Sequence, residues 1–395
     1  MLTKLTVENF RSIEKCDVEL APITIFFGPT SAGKSTLFYA LLVLRNFILN
    51  PNQAVDGLFN LGFQNLGGFD ACVFNHVLSK MIGVTAHFDG HSYGVNLRKT
   101  DADIFQNSEL LRMSAKVPLP YNAGQSFPFS YTDKEEEEFT VNWNGFASTV
   151  APKTTATPEA QSQAVNLAEA FNGPVEAIKS VDVCPHRRGF FKPSYSPAPL
   201  TPTPTSEDEV ATLIINDQNA PPRISINTVE VFDRDFRTYT PPGTAITFLQ
   251  TTEQKDARVP GLLVNDGFGV NQVVYMLSKI HRPDVETVLI EEPEIHLHPT
   301  VIRKFARVLS HLATEEEKQL IFTTHSEQFL LSVLACVKER LLRPAQVRCY
   351  HVARDRKKTV FTHEPVSDEG QISGGLSSFM EGELQDIKSF LSVSD

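Results

Sequence analysis

Residues 28–36 read Gly-Pro-Thr-Ser-Ala-Gly-Lys-Ser-Thr and fit the pattern Gly-x4-Gly-Lys-Ser/Thr. Glycines let backbone N–H groups turn toward an anion, and the N-terminus of a following helix adds a partial positive charge. Lys34 would then reach the β- and γ-phosphates of a nucleotide, and the Ser35 hydroxyl would ligate Mg²⁺. The pattern predicts an ATP-binding loop made of Gly28, Pro29, Thr30, Ser31, Ala32, Gly33, Lys34, Ser35 and Thr36.

Two adjacent carboxylates follow the apolar run Val288-Leu-Ile290. A buried strand that ends in two acids can place one beside a metal ion and the other facing the γ-phosphate. We assign Glu291 to the Mg²⁺ shell and Glu292 to the general base that activates the attacking water. The alternative is an acidic strand end that simply faces solvent.

Two further segments are candidates for sensing the γ-phosphate. His325 ends the run Leu320-Ile-Phe-Thr-Thr324 and lies 33 residues after Glu292, although a histidine after a strand is often only structural. Gly267-Phe-Gly-Val-Asn-Gln272 precedes an apolar helical pattern, and glycines at a helix start can form an anion site. Taken alone, that second motif is equally compatible with a plain helix cap.

The spacing of apolar residues indicates how these motifs are held. Strand, glycine-rich loop and helix follow one another around the predicted ATP-binding loop, and after residue 260 short apolar runs alternate with amphipathic segments. This order predicts an α/β fold with a mostly parallel sheet flanked by helices. The predicted strands are 2–8, 17–27, 285–290 and 319–324, the predicted helices are 34–48, 299–314, 326–342 and 377–392, and 346–363 is a predicted hairpin.

The middle of the chain differs in kind. Residues 81–100, 139–150 and 223–250 alternate like strands, 157–171 is helical in pattern, and prolines crowd 192–208. We therefore expect an ATPase domain made of residues 1–80 and 256–395, with 81–255 as an inserted β-rich and mixed subdomain that carries a proline-rich loop.

Bulk properties limit the class of protein. The 395 residues carry a net charge of −11 and 41% hydrophobic side chains, which is typical of a globular chain without a broad basic surface for nucleic acid. The five cysteines are scattered, and no run approaches the roughly 18 apolar residues that span a bilayer. We expect a cytoplasmic protein without a membrane partner; any DNA would bind through a local basic groove.

Together the motifs resemble the ABC-type ATPase superfamily in its SMC and RecF-like branch. The start Leu5-Thr-Val-Glu-Asn-Phe-Arg-Ser12 is similar to that branch, and GFGVxQ (Gly267–Gln272), EEPEIHLHP (Glu291–Pro299) and TTHS (Thr323–Ser326) resemble single-chain ATPases related to the OLD family. Pro185-His-Arg-Arg188 and Asp368-Glu-Gly-Gln-Ile372 resemble elements of one subgroup of those ATPases.

The resemblance implies a head-to-tail homodimer that holds two ATP molecules between its subunits. Gly267, Phe268, Gly269, Asn271 and Gln272 of one copy would then close over the γ-phosphate bound by the other. Asn271 stands where the family signature commonly has serine, which would slow closure or hydrolysis.

Other sites follow from the resemblance with less support. Gln64 is the candidate for the glutamine that reaches the metal. Arg11 would contact nucleotide, although a surface arginine is an equal alternative. Glu294, His296 and His298 are spaced by two, as metal ligands on an extended strand would be, but the resemblance places them in the loop after the catalytic acid.

Three functions compete. The first is an ATP-driven switch that controls a partner effector, plausibly a nuclease, in phage defence or DNA repair. The second is a self-contained OLD-like nuclease; the Asp-x-Asp expected of its Toprim domain does not occur after residue 345, whereas Asp233-Arg-Asp235 lies mid-chain. The third is a transporter subunit, which the opening motif and the signature disfavour.

Overall fold

A computed structural model describes residues 1–133, 136–153, 157–255 and 259–372. The chain divides into two compact units. Unit 1 comprises Met1–Leu20, Ser35–Val181 and Asp355–Thr359; unit 2 comprises Ala21–Lys34, Asp182–Arg354 and the chain from Val360 onward. The inserted subdomain over 81–255 remains a prediction, and the two units divide that range at 181/182. The predicted helix 377–392 lies outside the described residues.

Helices cover both units. The α-helices are α1 Lys34–Leu49, α2 Phe69–Cys72, α3 Pro158–Lys179, α4 Glu207–Asn216, α5 Ala220–Phe232, α6 Phe268–Ile280, α7 Pro299–Glu315 and α8 Glu327–Lys338. Short 3₁₀ turns occupy Val55–Phe59, Phe74–His76, Leu263–Asn265 and Pro344–Gln346. None of the helices in the described ranges combines the length and apolar character needed to cross a membrane.

The strands of the described residues form four sheets. They are β1 Lys4–Phe10, β2 Ile13–Glu19, β3 Ile23–Phe27, β4 Ile82–Phe88, β5 His91–Leu97, β6 Asp101–Ser108, β7 Arg112–Pro118, β8 Phe127–Thr132, β9 Glu138–Trp143, β10 Ser148–Pro152, β11 Val181–Cys184, β12 Arg234–Tyr239, β13 Phe248–Glu253, β14 Gly261–Leu262, β15 Thr287–Glu291, β16 Gln319–Thr324, β17 Val347–Asp355 and β18 Lys358–Glu364.

Unit 1 is built on antiparallel sheets. Six strands pair in the order β2-β1-β4-β5-β6-β7, and three pair in the order β10-β9-β8. Alternate residues of β6 are buried, so one face of the larger sheet is covered and the other is more open. Helix α3 contacts β10 and β5, and its N-cap Thr157 accepts the Ala160 N–H at 3.2 Å.

Unit 2 contains a mostly parallel sheet with the strand order β11-β15-β16-β3-β17-β18. The pairs β15/β16, β16/β3 and β3/β17 are parallel. Every residue of β3, β15 and β16 is buried, as expected of strands covered on both faces. Helices α6 and α7 contact β15 and β16 respectively, and α7 contacts α8. The mixed α/β class and the parallel sheet are confirmed.

The prediction of strand-like structure over 223–250 is wrong for its first part. Residues 220–232 form α5, and strands begin only at Arg234. Pro221 and Pro222 occupy the first helical turn, where proline needs no N–H and its fixed φ favours the helix. Ile224 and Val231 are buried seven residues apart, so a helical stripe was mistaken for alternation because the proline start was not recognised.

The proline-rich segment leads directly into a well-capped helix. Residues 192–206 lie outside the helices and the named strands. Ser206 caps α4 by accepting the Glu209 N–H at 3.3 Å, while the Glu209 carboxylate accepts the Ser206 N–H at 3.1 Å. This reciprocal capping box satisfies two N–H groups at the helix start.

The central strand of unit 2 generates a stability prediction. Phe322 is fully buried on β16 and packs edge-on against Phe329 with ring centroids 5.2 Å apart. Phe322→Ala should lower the free energy of unfolding by about 3–5 kcal/mol, because it leaves a cavity in close-packed surroundings. Urea titration followed by circular dichroism measures the change. The control Leu331→Ala, at a 40% exposed position on α8, should cost less than about 1 kcal/mol. Equal losses for the two variants would contradict this account of the core.

Candidate functional site

The register of the parallel strands places the carboxyl ends of β15, β16 and β3 at one edge of the unit 2 sheet. Glu291 pairs with Thr323 across β15 and β16, and Thr323 pairs with Phe26 across β16 and β3. The three strands therefore end at the same level. Each is followed within one residue by a predicted site residue: Glu292 after β15, His325 after β16 and Gly28 after β3.

The loop that follows β3 needs the unusual backbone that its glycines allow. Gly28 has φ of +145°, and a Cβ there would lie 2.2 Å from the Val352 carbonyl oxygen of β17. Ser31 and Gly33 also have positive φ, at 64° and 100°. Pro29, Thr30 and Ser31 are exposed, and α1 begins at Lys34. The loop thus connects a buried strand to a helix N-terminus, the arrangement that binds phosphate.

Lys34 has its ammonium group folded into the loop. Its Nζ donates to the carbonyl oxygens of Gly28 at 2.8 Å and Pro29 at 2.9 Å. The residue is only 7% exposed. Burial lowers the Lys34 pKa, opposed by the negative charges of Glu292 and Glu294. A buried ammonium group that donates to two neutral carbonyl oxygens fits a site for phosphate oxygens, which are stronger partners for a cation.

The two acids after β15 differ in environment. Glu291 is buried, and its Oε2 accepts the His186 backbone N–H at 3.1 Å. Glu292 is about one-third exposed, and its Oε1 lies 3.2 Å from Nδ1 of His325. The Glu292 backbone has a left-handed φ of 46°, a conformation that costs a non-glycine residue of the order of 1–2 kcal/mol. Only Glu292 of the pair presents a partly exposed carboxylate.

A segment far away in the sequence holds the backbone of both acids. Arg188 donates to the Glu291 carbonyl oxygen at 2.5 Å and to the Glu292 carbonyl oxygen at 2.8 Å. Our sequence reasoning assigned no function to Arg188 or His186. The only signal was the motif Pro185-His-Arg-Arg188, which resembles an element of one family subgroup but says nothing of its contacts.

The chain is similar in sequence to known ATPase domains. Residues 1–146 match the family model "AAA ATPase domain". Residues 193–332 match the family model "AAA domain, putative AbiEii toxin, Type IV TA system". The OLD nuclease of Thermus scotoductus is 25% identical over 346 residues, which are 83% of this chain. The chain thus resembles AAA ATPase domains in two separate segments and is similar in sequence to an OLD nuclease.

The similarity to the OLD nuclease covers part of that protein, and a likeness to a solved structure concerns the fold. The match spans 60% of the length of the OLD nuclease. An SMC head crystallised with the C-terminal winged-helix domain of ScpA superimposes with a TM-score of 0.51 at 10% identity, covering 92% of this chain and 97% of that one. The second likeness supports the ATPase fold alone.

The signature-like segment Gly267–Gln272 has an exposed part and a buried part. Gly267 and Phe268 are exposed at the start of α6, whereas Asn271 and Gln272 are buried. The Asn271 side chain accepts the Phe190 N–H and donates to the Phe190 carbonyl oxygen, each at 2.7 Å. Contact between this segment and a γ-phosphate remains a prediction, for which Gly267–Gly269 supplies the accessible residues.

Phe268 belongs to a cluster on the surface of unit 2. Its ring stacks on Phe191 at 5.8 Å and meets His296 edge-on at 4.6 Å. The three side chains line a cavity of about 540 Å³ together with His186 and Gln272. The cluster brings the loop after β15 next to the start of α6.

The three residues considered as metal ligands have separate surroundings. Glu294 Oε1 accepts the Thr324 hydroxyl at 2.7 Å in the interior. His296 contacts Phe268, and His298 is the N-cap of α7. His296 has a left-handed φ of 63°, so the segment turns rather than remaining extended.

The remaining predicted residues lie in unit 1. Ser35 and Thr36 continue α1 directly after Lys34. The Arg11 guanidinium lies over the Tyr39 ring, 5.6 Å from its centroid. Gln64 lies in a turn, where its carbonyl oxygen accepts the Leu61 N–H at 2.9 Å. Roles for these residues in nucleotide or metal binding remain predictions.

Glu294 generates a prediction about pH. Burial raises the pKa of its carboxyl from the ordinary value of 4.5, so the folded state binds this proton more tightly than the unfolded state. The contribution to stability is therefore complete below pH 4.5 and is lost as pH rises through the higher folded pKa. Glu294→Gln keeps an acceptor for Thr324 and does not ionise. Its melting temperature relative to the parent should therefore rise between pH 4.5 and pH 8.

Thermal melts of both proteins across that range test the prediction. The exposed Glu169 of α3 supplies the matched control, because Glu169→Gln should follow the parent at each pH. A difference between Glu294→Gln and the parent that stays constant with pH would contradict the assigned burial effect.

Proposed function

We propose that this ATPase is a homodimeric switch that closes on ATP, opens after hydrolysis and controls a partner effector. The observation that carries the proposal is the pairing of Glu292 with His325 at 3.2 Å, at the sheet edge from which the Lys34 loop departs. A carboxylate, an imidazole and a phosphate-binding loop on three neighbouring strand ends suit phosphoryl transfer to water.

The loop from Gly28 to Thr36 would hold the phosphates through its backbone N–H groups and the Lys34 ammonium. Ser35 and Glu291 would hold Mg²⁺, with Gln64 as a further candidate ligand and Arg11 as a nucleotide contact. Bound Mg²⁺ would neutralise charge on the β- and γ-phosphate oxygens. The buried environment of Glu291 supports this assignment, because a nearby cation stabilises the charged form of a carboxylate in the interior.

Glu292 would act as the general base. The oxygen of a water molecule attacks the γ-phosphorus, the bond to the β-phosphate oxygen breaks, and the Glu292 carboxylate accepts the water proton. His325 would hold the carboxylate through its Nδ1 and report whether the γ-phosphate is present. The partial exposure of Glu292 supports this role, because the base must reach water.

A second copy of the chain would complete the site. The exposed Gly267 and Phe268 and the half-buried Gly269 lie at the N-terminus of α6, which favours the negative charge of a γ-phosphate. Helix α6 is thirteen residues long and begins at Phe268. Closure of the dimer would then depend on ATP, and hydrolysis would release it.

The effector we propose is a nuclease acting in phage defence or DNA repair. Support comes from the OLD nuclease, of which the matched region spans 60%. DNA would contact a local basic groove or the effector. Five free, buried cysteines fit a reducing, cytoplasmic location.

A self-contained nuclease is the second candidate. The Asp-x-Asp pattern of Asp233 and Asp235 occupies the end of α5 and the start of β12. Oδ2 of Asp233 lies 3.7 Å from Nζ of Lys304. Oδ1 of Asp235 accepts a hydrogen bond from the Ser225 hydroxyl at 3.3 Å. Metal-dependent cleavage of plasmid by the purified protein alone would favour this candidate. Copurification of a separate nuclease with this protein, together with no plasmid cleavage by this protein alone, would favour the switch.

Lys34→Ala tests the phosphate-binding loop. Removing the ammonium should weaken ATP binding about 100-fold, because charge-assisted contacts to phosphate are lost. Isothermal titration calorimetry with ATP and Mg²⁺ measures the affinity. The control Lys338→Ala, at an exposed position in the last turn of α8, should bind ATP like the parent. Unchanged affinity in Lys34→Ala would remove the central assignment.

Glu292→Gln tests the base. Hydrolysis should fall by about 10²–10⁴-fold with ATP affinity retained, and size-exclusion chromatography with ATP should show a longer-lived dimer. Glu315→Gln at the end of α7 provides a control that should hydrolyse ATP normally. Full activity in Glu292→Gln would show that another group activates the water; a monomer in every nucleotide state would argue against the ATP-dependent dimer.

A further inference from the structure

The segment Pro185–Phe190, here called the strap, runs between β11 and the proline-rich segment. Its Arg188 side chain is only 3% exposed, while the neighbouring His186 and Arg187 are exposed. A guanidinium in the interior is costly, and an apolar residue of similar size is often at least as stabilising. The position of this cation therefore calls for a reason other than stability.

The partners of Arg188 supply that reason. Its Nη1 donates to the carbonyl oxygens of Glu291 at 2.5 Å and Pro185 at 3.0 Å, and its Nη2 donates to the Glu292 carbonyl oxygen at 2.8 Å. The planar guanidinium thus joins two consecutive carbonyl groups of the β15 end to the strap. Lysine cannot reproduce this, because its donors diverge from a single nitrogen.

The backbone that Arg188 holds at Glu292 has a strained, left-handed conformation. Glu292 has φ of 46°, and its N–H donates to the Thr323 carbonyl oxygen of β16 at 2.8 Å. Its carbonyl oxygen accepts from Nη2 of Arg188. Backbone strain of this kind persists only where surrounding contacts determine the conformation. The direction of the Glu292 side chain toward His325 depends on that conformation.

The strap is itself fixed on α6. The Gln272 amide donates to the Arg188 carbonyl oxygen at 2.5 Å, and Asn271 exchanges two hydrogen bonds with the Phe190 backbone. Glycine is needed at position 189 for two reasons. Its φ is +132°, a backbone conformation that other residues rarely adopt, and a Cβ there would lie only 3.0 Å from Asn271 Oδ1. Hydrogen bonds thus run without interruption from Glu292 through Arg188 to the start of α6.

We propose that Arg188 is a positioning residue for ATP hydrolysis: it holds the Glu292 backbone in the conformation that aims the carboxylate at water and transmits the position of α6 to it. The inference rests on the proposed role of Glu292 as general base. Arg188 touches neither the loop at Gly28–Lys34 nor His325 in the hydrogen bonds of the described residues, so it should affect turnover rather than ATP affinity.

The experiment compares Arg188→Lys and Arg188→Gln in steady-state hydrolysis with ATP and Mg²⁺. Each should lower kcat about tenfold or more, because charge-assisted hydrogen bonds to both carbonyls are lost or reduced to one. KM and the calorimetric affinity for ATP should change by less than about threefold. Arg187→Lys, the same change at the exposed neighbour, is the matched control and should leave kcat unchanged.

A double-mutant cycle separates positioning from a general structural effect. In the Glu292→Gln background, adding Arg188→Lys should not lower residual hydrolysis further, because both changes remove the same function. Three results would overturn the inference: parental kcat in Arg188→Lys, a full additional loss in the double variant, or loss of ATP binding together with kcat in both Arg188 variants.

The same data distinguish this inference from the proposed function. Full hydrolysis by Glu292→Gln would reject Glu292 as the base, whatever the Arg188 variants do. A slow Glu292→Gln beside a fully active Arg188→Lys would reject the role of Arg188 alone.

Discussion

Parallel pairing of three fully buried strands is the constraint on which the candidate site depends. The hydrogen bonds between β15, β16 and β3 fix their register, and a shift of one residue would exchange the side chains that pack on the two covered faces. Because the strands are parallel, their carboxyl ends share one edge. Glu292, His325 and the phosphate-binding loop therefore begin at the same place without direct contacts being needed to gather them.

Several groups at this edge have unfavourable local energies. Lys34 and Glu294 are charged or ionisable groups in the interior, and burial shifts the pKa of each toward its neutral form. Glu292 has a left-handed backbone conformation. Such costs are tolerated when the rest of the fold supplies enough burial to offset them, and the apolar strands beneath the edge do so. The negative charges of Glu292 and Glu294 partly offset the cost of burying the Lys34 ammonium group.

The strap connects the start of α6 with the end of β15. From the sequence, the signature-like residues of one copy were expected to close over the γ-phosphate bound by the other copy. Within one copy, Asn271 and Gln272 instead hold the segment that carries Arg188, and Arg188 holds the two acids. A movement of α6 would therefore reach Glu292 through hydrogen bonds inside a single subunit. In the proposed ATP-dependent dimer, these hydrogen bonds would connect closure to hydrolysis.

Local sequence was sufficient for the elements whose signal is short-range. The loop at residues 28–36, the strand before Glu291 and the strand Gln319–Thr324 all follow from contiguous residues, because glycine pattern and apolar runs act over a few positions. Helix α5 was missed because its proline start competed with an apparent alternation. The contacts of Arg188 with Glu291 and Glu292 join residues more than 100 positions apart, and no local pattern encodes them. The sequence by itself determined which chemistry is present, whereas the tertiary structure decided which side chains are accessible and which backbone they hold, since both depend on how distant segments pack.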